Sequence, residues 1–193
     1  MNKIVKDALV LTAFSLVLGF VLGGVYKITE EPIKQAALRK EMEAYKVVFE
    51  TADTFVPMEV DAAKAEAIMT AGGFPDVINS ALEAVDTSGN VIGHVVTITT
   101  KDGFGGGIVL SIGIQLDGTV NGFKDVSRGG ETMFNAFEPE FADQFKNVKT
   151  DKFEKGTNLN YDSVSGASMT ADAIKNAVNA AIAYVNDVKG GAQ

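Results

Sequence analysis

Between Asp7 and Lys27 the chain runs for 19 residues, ALVLTAFSLVLGFVLGGVY (8–26), without a charge. About 20 apolar residues, each rising 1.5 Å along a helix, span a hydrocarbon core of roughly 30 Å, so the segment is predicted to cross a membrane. A cleaved signal peptide would have a shorter apolar region and then a small-residue cleavage site. No convincing A-x-A site follows, and the chain continues as KITEEPIKQAALRKEMEAYKVVF (27–49). The reading is an uncleaved transmembrane anchor over residues 1–28 and a separate domain over 29–193. Lys3 and Lys6 precede the span while Lys27, Lys34, Arg39 and Lys40 follow it. Long domains cross largely regardless of flanking charge, so the charge rule leaves the orientation open. Within the span Ser15, Gly19 and Gly23 recur at four-residue spacing, a face that lets a partner helix approach closely. Glycine is also common in membrane helices generally, and the two readings stand level.

Composition then narrows the chemistry. The chain has no cysteine, which excludes disulfides, thiolate metal sites and cysteine nucleophiles. A single histidine, His94, leaves no histidine metal cluster and makes a Ser–His–Asp triad improbable. The net charge of −8 argues against nucleic acid, whose phosphates need a basic face. Redox or group-transfer chemistry would therefore require an organic cofactor.

After the span, residues 33–50 read as a charged helical stalk and DAAKAEAIMTAGG (61–73) as a short helix closed by glycines. The period then changes. SALEAVD, NVIGHVVTITT, GIVLSIGIQL and TVNGFKDVS are strand-like, and TSGN, KDGFGGG and LDGT between them are turn signals. That predicts an antiparallel meander of about four strands. EPEFADQFKN (138–147) reads as a helix, and a last helix over about 169–188 carries Ile174, Val178, Ala181, Ile182, Val185 and Val188 on one stripe, which should pack on the sheet. The fold class is α+β: one N-terminal transmembrane helix, then an antiparallel meander with flanking helices.

DGFGGG (102–107) joins strand to strand and so reads as a hairpin needing positive φ, not as a dinucleotide loop, which would open a helix. His94 reads as a partly buried strand residue. Glu131, Glu138 and Glu140 could suggest paired carboxylates, but no base or metal partner adjoins them, and they read as a solvated loop running into a helix.

YDSVSGASMTADAI (161–174) crowds Ser163, Ser165, Ser168 and Thr170 around Gly166 at the start of the last helix. One hydroxyl suffices to cap a helix. Four with a glycine suit an anion, because the helix start offers unpaired N–H groups and positive potential and glycine permits close backbone approach. Without cysteine, a phosphoester to a hydroxyl is the open covalent route for a flavin nucleotide.

Asp162-x-x-Ser165-Gly166-Ala167-Ser168 resembles the flavinylation motif of the FMN-binding domains in the Rnf and Na⁺-pumping NADH:quinone reductase complexes. The likeness covers nearly the whole chain, whose length is nearer the G-subunit family of Rnf than the longer C subunits of the quinone reductases. It implies covalent FMN on Ser168, attached by a flavin transferase. Asp162, Ser165, Gly166, Ala167, Thr170, Glu131 and Thr132 would be the other cofactor-site residues. It also implies an extracytoplasmic domain, electron transfer among other membrane subunits of an ion-translocating redox complex, and no catalytic acid, base or metal of the chain's own. This sequence departs from the family in having Ser168 where threonine is usual, and in following Glu131-Thr132 with MFNAFEPEF in place of a Pro-Gly-Leu-Gly loop. The competing expectation is a membrane-tethered ligand-binding or structural module without flavin.

Overall fold

The computed structural model describes residues 3–154 and 161–190. The chain divides into two compact units, Met1–Lys40 and Glu41–Gln193. Helix α1 (Lys3–Val48) makes up the first and lends its last turns to the second. The stretch from Val5 is long and apolar enough to cross a membrane, and side chains such as Leu11, Phe20 and Leu22 are exposed along it. That surface would be costly in water but suits lipid, where a helix satisfies its own backbone. A Cβ added at Gly19 or Gly23 meets nothing within 4 Å, so no intrachain packing requires glycine there. The charged helical stalk expected over 33–50 is present, as the continuation of α1 through Pro32 to Val48. Proline removes one helical bond, but the good helix formers Gln35, Ala36, Ala37 and Leu38 resume at once.

The second unit is built on a six-stranded antiparallel sheet in sequential order: β1 (Thr54–Met58), β2 (Val77–Val85), β3 (Val91–Thr100), β4 (Ile108–Gln115), β5 (Thr119–Ser127) and β6 (Val148–Lys149). The four expected strands are the inner ones. Both additions are edges. β1 contains Pro57, which a central strand would not tolerate, and β6 has only two residues, too few for a period to register. The turns follow side-chain chemistry: Asp86 accepts from the N–H groups of Ser88 and Asn90 at 2.8 and 2.9 Å, and Asp117 from Thr119 at 2.9 Å.

Helix α2 (Ala62–Gly72) begins at Asp61, whose carboxylate accepts from Ala63 and Lys64, and ends at left-handed Gly73. Helices α2 and α4 (Ser168–Gly190) cover one face of the sheet, where Ile174, Val178 and Ile182 join Val96, Ile98 and Ile112 in the main core. The end of α1 covers the other face, with Tyr45, Val48 and Phe49 against Leu82, Ala84 and Val95. β3 is therefore buried almost continuously. Each fully buried Val or Ile contributes about 1.5–3 kcal/mol, so packing more than helix propensity holds α4 in place.

The single helix expected over 138–147 is broken. A 3-10 turn (Phe134–Phe137) precedes α3 (Pro139–Ala142), a second follows at Asp143–Phe145, and Asn147 has φ 58°. Phe141 and Phe145, four residues apart and so on one face, turn inward to Phe123, Phe153 and Tyr161, with ring centroids 4.7–5.9 Å apart.

Candidate functional site

The stretch entering α4 is held at several points. Tyr161 packs against Phe141 and Phe145 and donates its hydroxyl to Asp172 at 2.8 Å. Burial, then the Asp172 carboxylate, raises the Tyr161 pKa, so it stays a donor. Gln144 clamps the backbone of Asp162, accepting from its N–H at 2.6 Å and donating to its carbonyl at 3.2 Å. Asp162 itself occupies an exposed position. A turn follows, with the Ala167 N–H bonded to the Val164 carbonyl at 3.2 Å, Ser165 exposed within it, and Gly166 at φ 81°, a conformation other residues adopt at a cost. Ala167 is buried and seats the helix start in the core.

Ser168 is then the first residue of α4 and is exposed. The first backbone bond into the helix is Ala171 to Ala167 at 2.9 Å. Among the described residues the N–H groups of Ser168, Met169 and Thr170 have no acceptor. The hydroxyl of Ser163 is buried and equally unpartnered. Unpaired donors at a helix terminus, one unused hydroxyl and a glycine turn fit a phosphate group.

Thr170 takes a different part. It is 1 % exposed, and its hydroxyl donates to Glu131 Oε2 at 2.5 Å. Glu131 Oε1 accepts from the N–H of Gly105 at 2.8 Å. The expectation that Glu131 lies in a solvated loop is thus corrected, for it is 5 % exposed, while Glu138 and Glu140 are exposed. Thr170 lies in the first turn of α4 and turns its hydroxyl to the Glu131 carboxyl group. A buried carboxylate needs donors, and the glycine loop and the helix start supply them. Gly106 and Gly107 take the positive φ expected of that loop, and a Cβ at Gly105 would collide with the Gly130 backbone. Loop 102–107, loop 128–132 and the α4 start therefore meet. Thr132 is exposed beside them.

Other polar contacts were not legible beforehand. Asn179, inside the apolar stripe of α4, bonds both backbone groups of Phe153 at 2.7 and 3.0 Å. His94 lies mid-strand opposite Glu83 and Ile114, and burial, with Lys189, holds its pKa down. Among the described residues no group of three or more acidic or histidine side chains could hold a metal.

Asp76 is 5 % exposed with neither oxygen hydrogen-bonded. Burial pushes its pKa from 3.8 to about 6, with the Asp102 charge adding to the rise and the nearby Thr100 hydroxyl opposing it. The unfolded chain releases this proton near pH 4 and the folded chain near 6, so its contribution is fully present below pH 4 and is lost as pH rises to 6. Asp76→Asn is expected to stabilise the protein by about 1–2 kcal/mol at pH 7.5 and to change it little at pH 4. Urea titrations at both values check this, and equal effects at the two would refute it.

Residues 103–183, from the glycine loop through most of α4, match the FMN-binding domain family. Two curated relatives extend the similarity to nearly the full length. The G subunit of the ion-translocating oxidoreductase complex of Methanosarcina acetivorans is 29 % identical, over 98 % of each chain. The G subunit of the proton-translocating ferredoxin:NAD(+) oxidoreductase complex of Clostridium ljungdahlii is 25 % identical, over 94 % of this chain and 91 % of its own.

Proposed function

From the match of residues 103–183 to the FMN-binding domain family, we infer that the chain is an electron-carrying flavoprotein subunit of a membrane-bound, ion-translocating ferredoxin:NAD oxidoreductase complex. The observation that carries this is the near full-length similarity to the G subunits of two such complexes, with the FMN-binding match lying over the α4 start. FMN supplies the one- and two-electron chemistry. The chain's own residues attach and orient it, and none needs to act as acid or base. Its partners are the other subunits of the complex.

The phosphate of FMN is ester-linked to Ser168: a flavin transferase moves the FMN phosphoryl group from a flavin dinucleotide to the hydroxyl oxygen, breaking the donor's pyrophosphate bond and releasing the nucleoside monophosphate and the hydroxyl proton. Support comes from exposure. Ser168 is open to solvent at the head of unpaired N–H groups, whereas the Thr170 hydroxyl is buried and already given to Glu131. Gly166 and Ala167 set the turn, Ser165 and Asp162 border it, and Glu131 with Thr132 closes the far side. After denaturing electrophoresis the band should fluoresce as flavin. A dark band from fully matured membranes would overturn the covalent reading, and absence of FMN from the native protein would overturn the cofactor.

The anchor is residues 1–28 and the flavin domain 29–193, on the extracytoplasmic side. An impermeant amine reagent applied to intact cells stripped of any outer barrier should label lysines of the domain such as Lys64 and Lys152. Labelling only after lysis would reverse this topology.

A further inference from the structure

Four large apolar side chains stand exposed where the three segments meet: Phe104 (69 %), Met133 (53 %), Phe134 (46 %) and Met169 (56 %). Scattered singly they would need no explanation. Here Phe104 precedes Gly105, Met133 and Phe134 follow Glu131, and Met169 precedes Thr170, so the two Glu131 hydrogen bonds draw them around one clamp. Phe134 is also held from behind. The Arg128 guanidinium lies 5.1 Å from its ring centroid and 4.7 Å from that of Phe137, and its Nε pairs with Asp125 at 2.7 Å. An aromatic face fixed in place while exposed loses little freedom when a flat partner settles on it.

Building on the FMN reading above, we propose that Phe104, Phe134 and Met169 form the seat of the isoalloxazine ring. A phosphate anchored at Ser168 places the ribityl chain beside Met169, and the ring it carries is flat, aromatic and polarisable. Phenylalanine faces and a thioether are complementary to such a ring. Arg128 acts as a positioning residue through Phe134.

The test uses the full-length, FMN-loaded protein with Phe104→Trp and Phe134→Trp, both at exposed positions that accept an indole without repacking. An indole touching the excited flavin lends it an electron and takes it back, which quenches emission only at contact. Each variant should lose most of its emission per bound flavin. Leu116→Trp should lose none, because Leu116 lies beside Lys189 at the opposite end of α4, its carbonyl accepting from that side chain at 3.1 Å. Undiminished emission per bound flavin in either phenylalanine variant overturns the seat and leaves the patch to a protein partner. A wild-type protein without flavin would instead defeat the underlying FMN reading.

Discussion

Ser168→Ala is expected to abolish covalent flavin altogether while changing stability by no more than about 0.5 kcal/mol. The side chain is exposed and makes no hydrogen bond among the described residues, so its removal leaves no cavity and no orphaned partner. Ser168→Thr should keep the flavin, since the second hydroxyl type offers the same ester oxygen at the same helix position. Thr170→Val should also keep it, because that hydroxyl is buried against Glu131. Peptide mass spectrometry of the purified protein reads all three. Flavin on Thr170, or a flavinylated Ser168→Ala protein, would move the attachment point.

Glu131→Ala should be the most damaging polar substitution in the site. It strips the acceptor from the buried Thr170 hydroxyl and from the N–H of Gly105, which is exposed and can turn to water. An unsatisfied buried group costs about 1–3 kcal/mol, so the loss is set by Thr170 and amounts to roughly 1–3 kcal/mol. For a domain of this size that is a fall in melting temperature of roughly 5 °C. Glu131→Gln keeps one acceptor oxygen and should lose about half as much. Thermal unfolding of the full chain measures both. A loss below about 1 kcal/mol for the alanine variant would mean that water replaces the carboxylate and that the three segments meet without it.

The parts legible from residues alone were those written in a local period or a local motif. A charge-free run of 19 residues, the β-branched run in NVIGHVVTITT and the stripe Ile174–Val178–Ile182 each report on neighbours a few positions away. The hydroxyl cluster ahead of α4 was equally local, and the structure places its glycine at positive φ and its Ser168 at the helix start. The partners of Phe141 and Phe145 were not legible, because the aromatic cluster that buries them is assembled from Phe123, Phe153 and Tyr161, which lie elsewhere along the chain.

Sequence by itself determined the membrane-length helix, the antiparallel order of the inner strands and the anion-suited start of the last helix, since each rests on residues close together in the chain: a charge-free run, short turns between strands, and hydroxyls around a glycine. Only the tertiary structure decided which hydroxyl stays free. Glu131 lies 39 residues before Thr170 and 26 after Gly105, and no local pattern announces that it will be buried between them. Burial of a charge obliges it to find donors wherever the fold brings them, so Thr170 is consumed, Ser168 is left open, and the glycine loop is fastened to the helix.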